Sequence, residues 1–157
     1  MFPTKILVAT NGSRESDRAM AAAVELANGT GSELELVYVV STVPELPYPS
    51  VTTRERSEAL LEQRRIGGLR LLENQARRVE DLGGEVAATH YREGRPEKEV
   101  VKLAAELDAG LIMTGGHRRH WFERVFGRGF SETVTRKADR PVLVVGQENP
   151  RNSTVTK

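Results

Sequence analysis

An α/β fold built on a five-stranded parallel sheet is predicted by three observations. Short apolar segments alternate along the chain with segments of helical periodicity, which is the pattern of repeated βα units. Two apolar segments, residues 111–114 and 142–145, are continuously apolar, as strands buried on both faces of a sheet are. The chain has 157 residues, which fits one domain. We place that domain at residues 1–146 and expect the polar residues 147–157 to form a flexible tail.

Composition restricts the possible partners and compartments. The 23 Lys and Arg residues nearly balance the 22 Asp and Glu residues, so the chain has no overall basic field for binding nucleic acid or a membrane surface. There is no cysteine, which excludes disulfides, thiolate zinc sites and a cysteine nucleophile. The apolar residues 5–9 are too few for a signal peptide core, and no segment approaches the ~20 apolar residues that cross a bilayer. We therefore expect a cytoplasmic protein.

The first half of the chain is predicted to form two strands and two helices. Residues 5–9 form the first strand, and Asn11-Gly12-Ser13 turns it into a helix with Ser13 as N-cap and Glu15 in the first turn. Residues 34–40 form the second strand, and the proline-containing residues 41–53 form a surface loop that is a candidate lid. The first helix is identified by apolar residues at helical spacing, namely Met20, Ala23, Val24 and Ala27.

A long second helix, residues 54–82, is predicted to be kinked or interrupted at Gly67-Gly68. The third strand is predicted at residues 85–91, and the turn Gly94-Arg95-Pro96 starts a third helix that faces inward through Val100, Leu103 and Leu107. A fourth strand at residues 111–114, a short helix and a fifth strand at residues 142–145 complete the units. The apolar stripe of the second helix is predicted to be Leu69, Leu72, Ala76, Val79 and Leu82.

A phosphate site is predicted between the fourth strand and the last helix. Gly115 and Gly116 leave the strand, and residues 127–131 open the helix, so backbone N–H groups converge at one place. The loop between them is basic and aromatic. A phosphate site of this kind indicates a nucleotide ligand. The residues of this site are Gly115, Gly116, His117, Arg118, Gly127, Arg128, Gly129, Phe130 and Ser131.

Other candidate residues have simpler structural interpretations. His117 and His120 have no nearby carboxylate or thiol to complete a metal site, so no metal is predicted. His90 is interpreted as a packed or partly exposed strand residue. Trp121, Phe122 and Phe126 are interpreted as packing the loop onto the sheet, with contact to a partner or base as the alternative. No nucleophile, zinc helix, Walker-type loop or carboxylate pair is found, so no catalytic residue is predicted.

From residue 4 to residue 146 the chain resembles a universal stress protein domain, whose fold is adenine nucleotide alpha hydrolase-like. The resemblance is carried by residues 5–13, by Gly94-Arg95-Pro96, by residues 131–134 and by residues 140–145. It implies a three-layer fold with strand order 3-2-1-4-5. It also implies a homodimer and, in one branch of the family, ATP or AMP bound at the carboxyl ends of the strands; Mg²⁺ is expected only with ATP.

The family's nucleotide motif is only partly present. Its glycine pattern falls on Gly115, Arg118, Arg128 and Gly129, of which only Gly115 matches. Ser131 corresponds to a later serine of the phosphate loop. At the adenine end, next to Thr10, the family's Asp is Asn11 here, and its strand-two valine is Val39. Arginines at glycine positions crowd the backbone, yet a guanidinium also binds phosphate oxygens directly.

Three functions are compatible with these residues. The first is a stress-response regulatory module that binds an adenine nucleotide. The second is a nucleotide-free homodimeric interaction module that contacts a protein partner or an acidic ligand through loop 117–126. The third is a weak nucleotidase with slow, incidental ATP hydrolysis. In the implied strand order the fifth strand is an uncharged sheet edge, so we expect a homodimer through residues 142–145.

Overall fold

The computed structural model describes residues 1–42, 54–116 and 129–146. The strands form one parallel sheet in the order β3-β2-β1-β4-β5, which confirms the predicted fold class. The predicted loop 43–53, most of the glycine and arginine loop and the predicted tail lie outside the described residues. In chain order the elements are β1 Lys5–Ala9, α1 Arg14–Thr30, β2 Glu33–Ser41, α2 Arg54–Asp81, β3 Ala88–Gly94, α3 Pro96–Glu106, β4 Leu111–Gly115, α4 Phe130–Lys137 and β5 Val142–Val145.

Helices cover both faces of the sheet, so the central strand β1 is buried on both sides. Ile6 and Val8 belong to a core shared with α1 and α2. Leu7 and Ala9 belong to a second core that includes residues of α3 and α4. Because side chains alternate along a strand, a strand covered on both faces must be apolar at every position. This is why β1 and β4 could be identified from unbroken apolar segments.

Helix α1 begins and ends with the capping groups that its sequence predicts. Ser13 is the N-cap, and its side chain accepts a hydrogen bond from the backbone N–H of Ser16 at 3.2 Å. At the other end Gly31 has a φ of 67° and donates its N–H to the carbonyl of Ala27. A left-handed residue after a helix is most often glycine, because it has no Cβ. The predicted inward residues Met20, Ala23, Val24 and Ala27 are all buried.

Of the two predictions for α2, the interruption at Gly67-Gly68 is wrong and the inward stripe is correct in part. The helix runs uninterrupted past Gly67 and Gly68, and Gly68 has a packing role: a Cβ there would lie 2.7 Å from the Tyr91 ring and 2.8 Å from the Tyr38 ring. In the predicted inward stripe Leu72 and Val79 are buried and Ala76 packs against the core, whereas Leu69 and Leu82 are 46% and 51% exposed. The buried positions with described side chains are Gly68, Leu72, Gln75 and Val79.

The position predicted for β3 is also wrong, by three residues at each end. The strand is Ala88–Gly94 rather than residues 85–91, and it pairs with β2 from Glu35↔Ala88 to Ser41↔Gly94. Its last residues, including Arg92 and Glu93, are polar and carried no strand signal. They are tolerated because β3 is at the edge of the sheet, where side chains reach solvent.

Strand β5 has the predicted bounds but not the predicted burial. Leu143 and Val144 are 43% and 39% exposed, whereas a strand buried on both faces was expected. Among the described elements its only strand neighbour is β4. The apolar sequence of β5 therefore belongs to an open sheet edge.

Candidate functional site

A cavity of about 750 Å³ lies where the carboxyl ends of the central strands meet the first turns of three helices. The strand order reverses here, because β1 is followed in space by β2 on one side and by β4 on the other. Loops from the two neighbours leave in opposite directions, so a crevice forms at this point of an open α/β sheet. Residues from β1, β2, β4, β5, α1, α3 and α4 line it.

The structure brings together most of the described residues that the sequence analysis singled out. Gly116 does not line the cavity, and the remaining predicted residues His117, Arg118, Gly127 and Arg128 lie outside the described residues. The loop segment 117–126, proposed as an alternative interaction surface, lies outside them too. The predicted residues that do line the cavity are Thr10, Asn11, Val39, Gly115, Gly129, Phe130 and Ser131.

Gly115 and Gly116 have packing roles that the sequence did not reveal. A Cβ at Gly115 would collide with the backbone carbonyl group of Glu15, so glycine allows the first turn of α1 to approach the end of β4. A Cβ at Gly116 would lie 2.8 Å from a methyl group of Val144. The Gly116 N–H donates to the Val145 carbonyl at 2.9 Å. That N–H is engaged within the sheet, so we leave Gly116 out of the proposed site.

The turn between β1 and α1 satisfies its own backbone groups. The Ser13 N–H donates to Asn11 Oδ1 at 3.0 Å, and the Gly12 N–H donates to Thr10 Oγ1 at 3.4 Å. The buried Ser16 hydroxyl donates to the Ser13 carbonyl at 3.0 Å. The Ser13 side chain thus caps α1 by accepting the hydrogen bond of the Ser16 N–H. Asn11 faces the cavity from a fixed turn, with its amide nitrogen as the group left to bind a ligand.

The N-terminus of α4 is different, because none of the described side chains caps it. Its N-cap, Gly129, has extended backbone geometry and no side-chain cap hydrogen bond. Gly129, Phe130 and Ser131 all line the cavity. The first N–H groups of a helix have no partner within the helix and carry its positive dipole end. This end of the cavity can therefore accept an anionic group, and the Ser131 hydroxyl adds a further donor.

The other side of the cavity is apolar and comes from β2 and α3. Val37 and Val100 are each 1% exposed, and they line the cavity with Val39 and Pro96. Of these four residues only Val39 was predicted from the sequence to belong to the site. Pro96 could have been recognised, since the turn Gly94-Arg95-Pro96 follows a strand end, but Val37 and Val100 gave no signal beyond a core pattern.

Three charged residues line the described wall of the cavity: Glu15, Glu132 and Arg136. Arg136 forms no ion pair or side-chain hydrogen bond with any residue of ranges 1–42, 54–116 and 129–146. The described wall therefore carries no excess of positive charge. A strong preference for a triphosphate over a monophosphate would need cations from elsewhere, and the predicted ones, Arg118 and Arg128, lie outside the described residues.

His90 lies on the sheet away from the cavity and is partly buried, as predicted for a strand residue. Its Nε2 is 2.6 Å from Oε2 of Glu35, a residue only 4% exposed. Lys5 Nζ approaches Glu35 Oε1 at 3.7 Å. Histidine and lysine thus provide the partners that a buried carboxylate requires.

No group of three or more histidine, aspartate or glutamate side chains is placed to hold a metal ion within residues 1–42, 54–116 and 129–146. None of the helices in the same ranges has the length and apolar character needed to cross a membrane.

A sequence model of the universal stress protein family matches residues 3–146. Universal stress protein MJ0531 of Methanocaldococcus jannaschii is 30% identical over 141 residues, which is 90% of this chain and 81% of the relative. Universal stress protein YxiE of Bacillus subtilis is 29% identical over 145 residues, which is 90% of this chain and 97% of the relative.

Three solved structures of similar fold carry adenine nucleotides. A universal stress protein in complex with cAMP has a TM-score of 0.68 and 21% identity, covering 94% of this chain and 100% of its own. The Archaeoglobus fulgidus universal stress protein in complex with dAMP has a TM-score of 0.59 and 22% identity. The match covers 92% of this chain and 98% of the Archaeoglobus chain. An Arabidopsis thaliana family protein with AMP bound has a TM-score of 0.66 and 18% identity. The match covers 98% of this chain and 97% of the Arabidopsis chain.

Proposed function

The chain belongs to the universal stress protein family, and on this premise we propose that it is a small cytoplasmic stress-response module that binds an adenine nucleotide. The proposed site is the cavity at the carboxyl ends of the strands. Proteins of the same fold bind cAMP, dAMP and AMP, which supports the ligand class. The proposal assigns the chain a binding role and names no catalytic residue.

One observation carries the proposal: a single cavity joins an apolar wall to an uncapped helix N-terminus. Val37, Val39, Pro96 and Val100 offer the apolar surface that a purine ring requires. The N–H groups at the start of α4 and the Ser131 hydroxyl offer donors to a phosphate. Thr10 and Asn11 lie at the end of β1, where polar side chains can bind the ribose or the base edge.

The cavity also has the size that such a ligand needs. Small-molecule pockets typically measure roughly 300–1,000 Å³, and this one measures about 750 Å³. The residues present therefore fit a mononucleotide such as AMP. Binding of ATP, with Mg²⁺, would place more negative charge beside Glu15 and Glu132, and we propose that it depends on Arg118 and Arg128.

Calorimetric titration of the purified protein with AMP and with ATP tests the proposal. We expect saturable binding of at least one of them, and weaker binding by a Ser131→Ala variant because a phosphate donor is lost. Ser57→Ala, a substitution at an exposed position of α2, serves as the matched control. Absence of heat at millimolar nucleotide, together with no nucleotide released from denatured protein, would leave the nucleotide-free interaction module as the better account.

We also propose a homodimer formed through the edge strand β5. Leu143 and Val144 are partly exposed on a strand that lacks a second strand neighbour among the described elements. Exposed apolar edge strands pair readily with a second copy, because their backbone N–H and C=O groups are open. Val144 also lines the cavity. A nucleotide bound next to Val144 would therefore alter the strand that forms the dimer contact.

A further inference from the structure

We propose that Arg136 contacts the nucleobase, so that helix α4 binds both ends of the ligand. Its N-terminus would hold the phosphate and its last turn would hold the base. This inference rests on the proposed function and adds to it a base-reading residue.

One side of α4 faces the cavity along the whole helix. The residues Ser131, Glu132, Thr135 and Arg136 all line the cavity. They form two pairs four residues apart, and residues at this spacing lie on the same side of a helix. Val134 is fully buried in the core shared with α3. Arg136 therefore belongs to a continuous wall of the cavity and not to an unrelated surface.

Arg136 lines the cavity from the last turn of α4, away from the N-terminus of that helix. It follows Gly129 by seven residues, which is about 10 Å along the axis of a helix. The last turn of α4 is held against the start of α3, since Lys137 Nζ is 3.9 Å from Glu97 Oε1. Pro96, the neighbour of Glu97, is part of the apolar wall. The last turn of α4, through Arg136, and the start of α3, through Pro96, thus line the same cavity.

The guanidinium of Arg136 is free to bind a ligand. It has no ion pair or side-chain hydrogen bond within the described ranges, and it is exposed to solvent at the cavity. A guanidinium stacks on aromatic faces and donates hydrogen bonds to ring acceptors. A purine offers an aromatic face as well as ring nitrogens that accept hydrogen bonds. Such a base against Pro96 and Val100 would present these groups to Arg136.

The test compares the affinities of adenosine and AMP for wild type, Arg136→Ala and Arg136→Lys. We expect the alanine variant to bind both ligands about two- to thirtyfold more weakly, by the same factor for each, because the base is common to both. The lysine variant should recover only part of the loss, since it lacks the planar group. Arg77→Ala is the control: Arg77 is exposed on α2, paired with Glu73, and should leave both affinities unchanged.

Several outcomes would overturn the inference. A variant that loses affinity for AMP and not for adenosine would show that Arg136 contacts the phosphate. Unchanged affinities in Arg136→Ala would show that it contacts neither, while the proposed function would stand. If the wild type binds AMP but not adenosine, contacts to the base contribute too little affinity for Arg136 to act as proposed. Failure of the wild type to bind either ligand would remove both proposals together. Thermal melting of each variant checks that it remains folded.

Discussion

At the scale of single residues, Arg140 connects three elements through one side chain. Its Nη1 donates to the carbonyls of Ala104 and Ala109, at 2.7 and 2.8 Å, and the side chain is only 14% exposed. Ala104 lies near the end of α3, Ala109 precedes β4, and Arg140 itself precedes β5. A cation also suits the negative end of a helix dipole. Arg140 therefore joins the segment that precedes β5 to the end of α3 and to the turn that precedes β4.

Replacing Arg140 with methionine should lower the free energy of unfolding by about 1.5–3 kcal/mol, the range for hydrogen bonds to charged groups. Methionine keeps much of the apolar stem but leaves two carbonyls without this donor. Urea denaturation measures the change. Asp139→Asn is the control, because it removes only the exposed ion pair and should have little effect. Equal losses in the two variants would contradict this role for the carbonyl contacts.

Tyr91 predicts a pH dependence at the alkaline end. Burial, and then the hydrogen bond to Glu93, raise the pKa of Tyr91 to about 12. The unfolded chain would release that proton near pH ~10, so the folded state holds it more tightly. Its contribution to stability is complete below pH ~10 and is lost as the pH rises toward about 12.

Wild type and Tyr91→Phe should therefore differ in how their stability changes above pH ~10. The wild type loses unfolding free energy more steeply, because phenylalanine has no proton to release. Urea denaturation of both proteins at several pH values measures the difference. Parallel profiles would show that Tyr91 titrates normally in the folded state.

At the scale of elements, caps and continuous apolar segments predicted much of the fold. The bounds of β1 and β5 were predicted to the residue, and the start of α3 at Pro96 followed from its turn. Strand β3 was misplaced because Arg92 and Glu93 are polar, and only pairing with β2 makes them strand residues. The register of a parallel pair depends on the whole sheet, which local periodicity does not contain.

Helix α2 provides a matched pair of glycines for a second comparison. Gly68→Ala should destabilise the protein by about 1–3 kcal/mol, the range for an overpacked core, because the new Cβ meets two tyrosine rings. Gly67→Ala should stabilise it by about 0.5–1 kcal/mol, since alanine is the better helix former and, apart from the adjacent residues and backbone of its own helix, no atom of the described residues lies within 4 Å of the added Cβ.

Chemical denaturation of the two single variants checks both signs. If Gly67→Ala and Gly68→Ala change stability in the same direction, helix propensity outweighs the tyrosine contact.

At the scale of the whole molecule, the site is assembled by topology. The sequence located the ends of β1, β4 and α4, because any parallel sheet brings such ends to one edge. It did not locate Val37, Val100 or Arg136. These residues become neighbours only when β2 lies beside β1 and α4 packs on α3, and neither contact leaves a local signal. The sequence also assigned Gly115 to phosphate binding. In the structure a side chain at Gly115 would collide with the backbone of α1 at Glu15.

The open edge at β5 leads to a prediction about assembly. The wild type should be a dimer by light scattering at micromolar concentration, and Leu143→Lys should shift it toward monomer because a charge blocks edge pairing. Leu82→Lys is the control, since Leu82 is similarly exposed at 51% but directly follows α2, which ends at Asp81. A monomeric wild type, or a dimer that only Leu82→Lys disrupts, would contradict the assignment of β5 as the contact.

The central claim is that one cavity binds the base between β2 and α3 and the phosphate at the start of α4. Amide chemical shifts of isotope-labelled protein, recorded while AMP is added, test it most directly. We expect the largest saturable changes at Gly129, Phe130 and Ser131, with accompanying changes at Asn11 and Val39. Saturating AMP that leaves these amides unmoved, or moves a cluster elsewhere on the sheet, would contradict the claim.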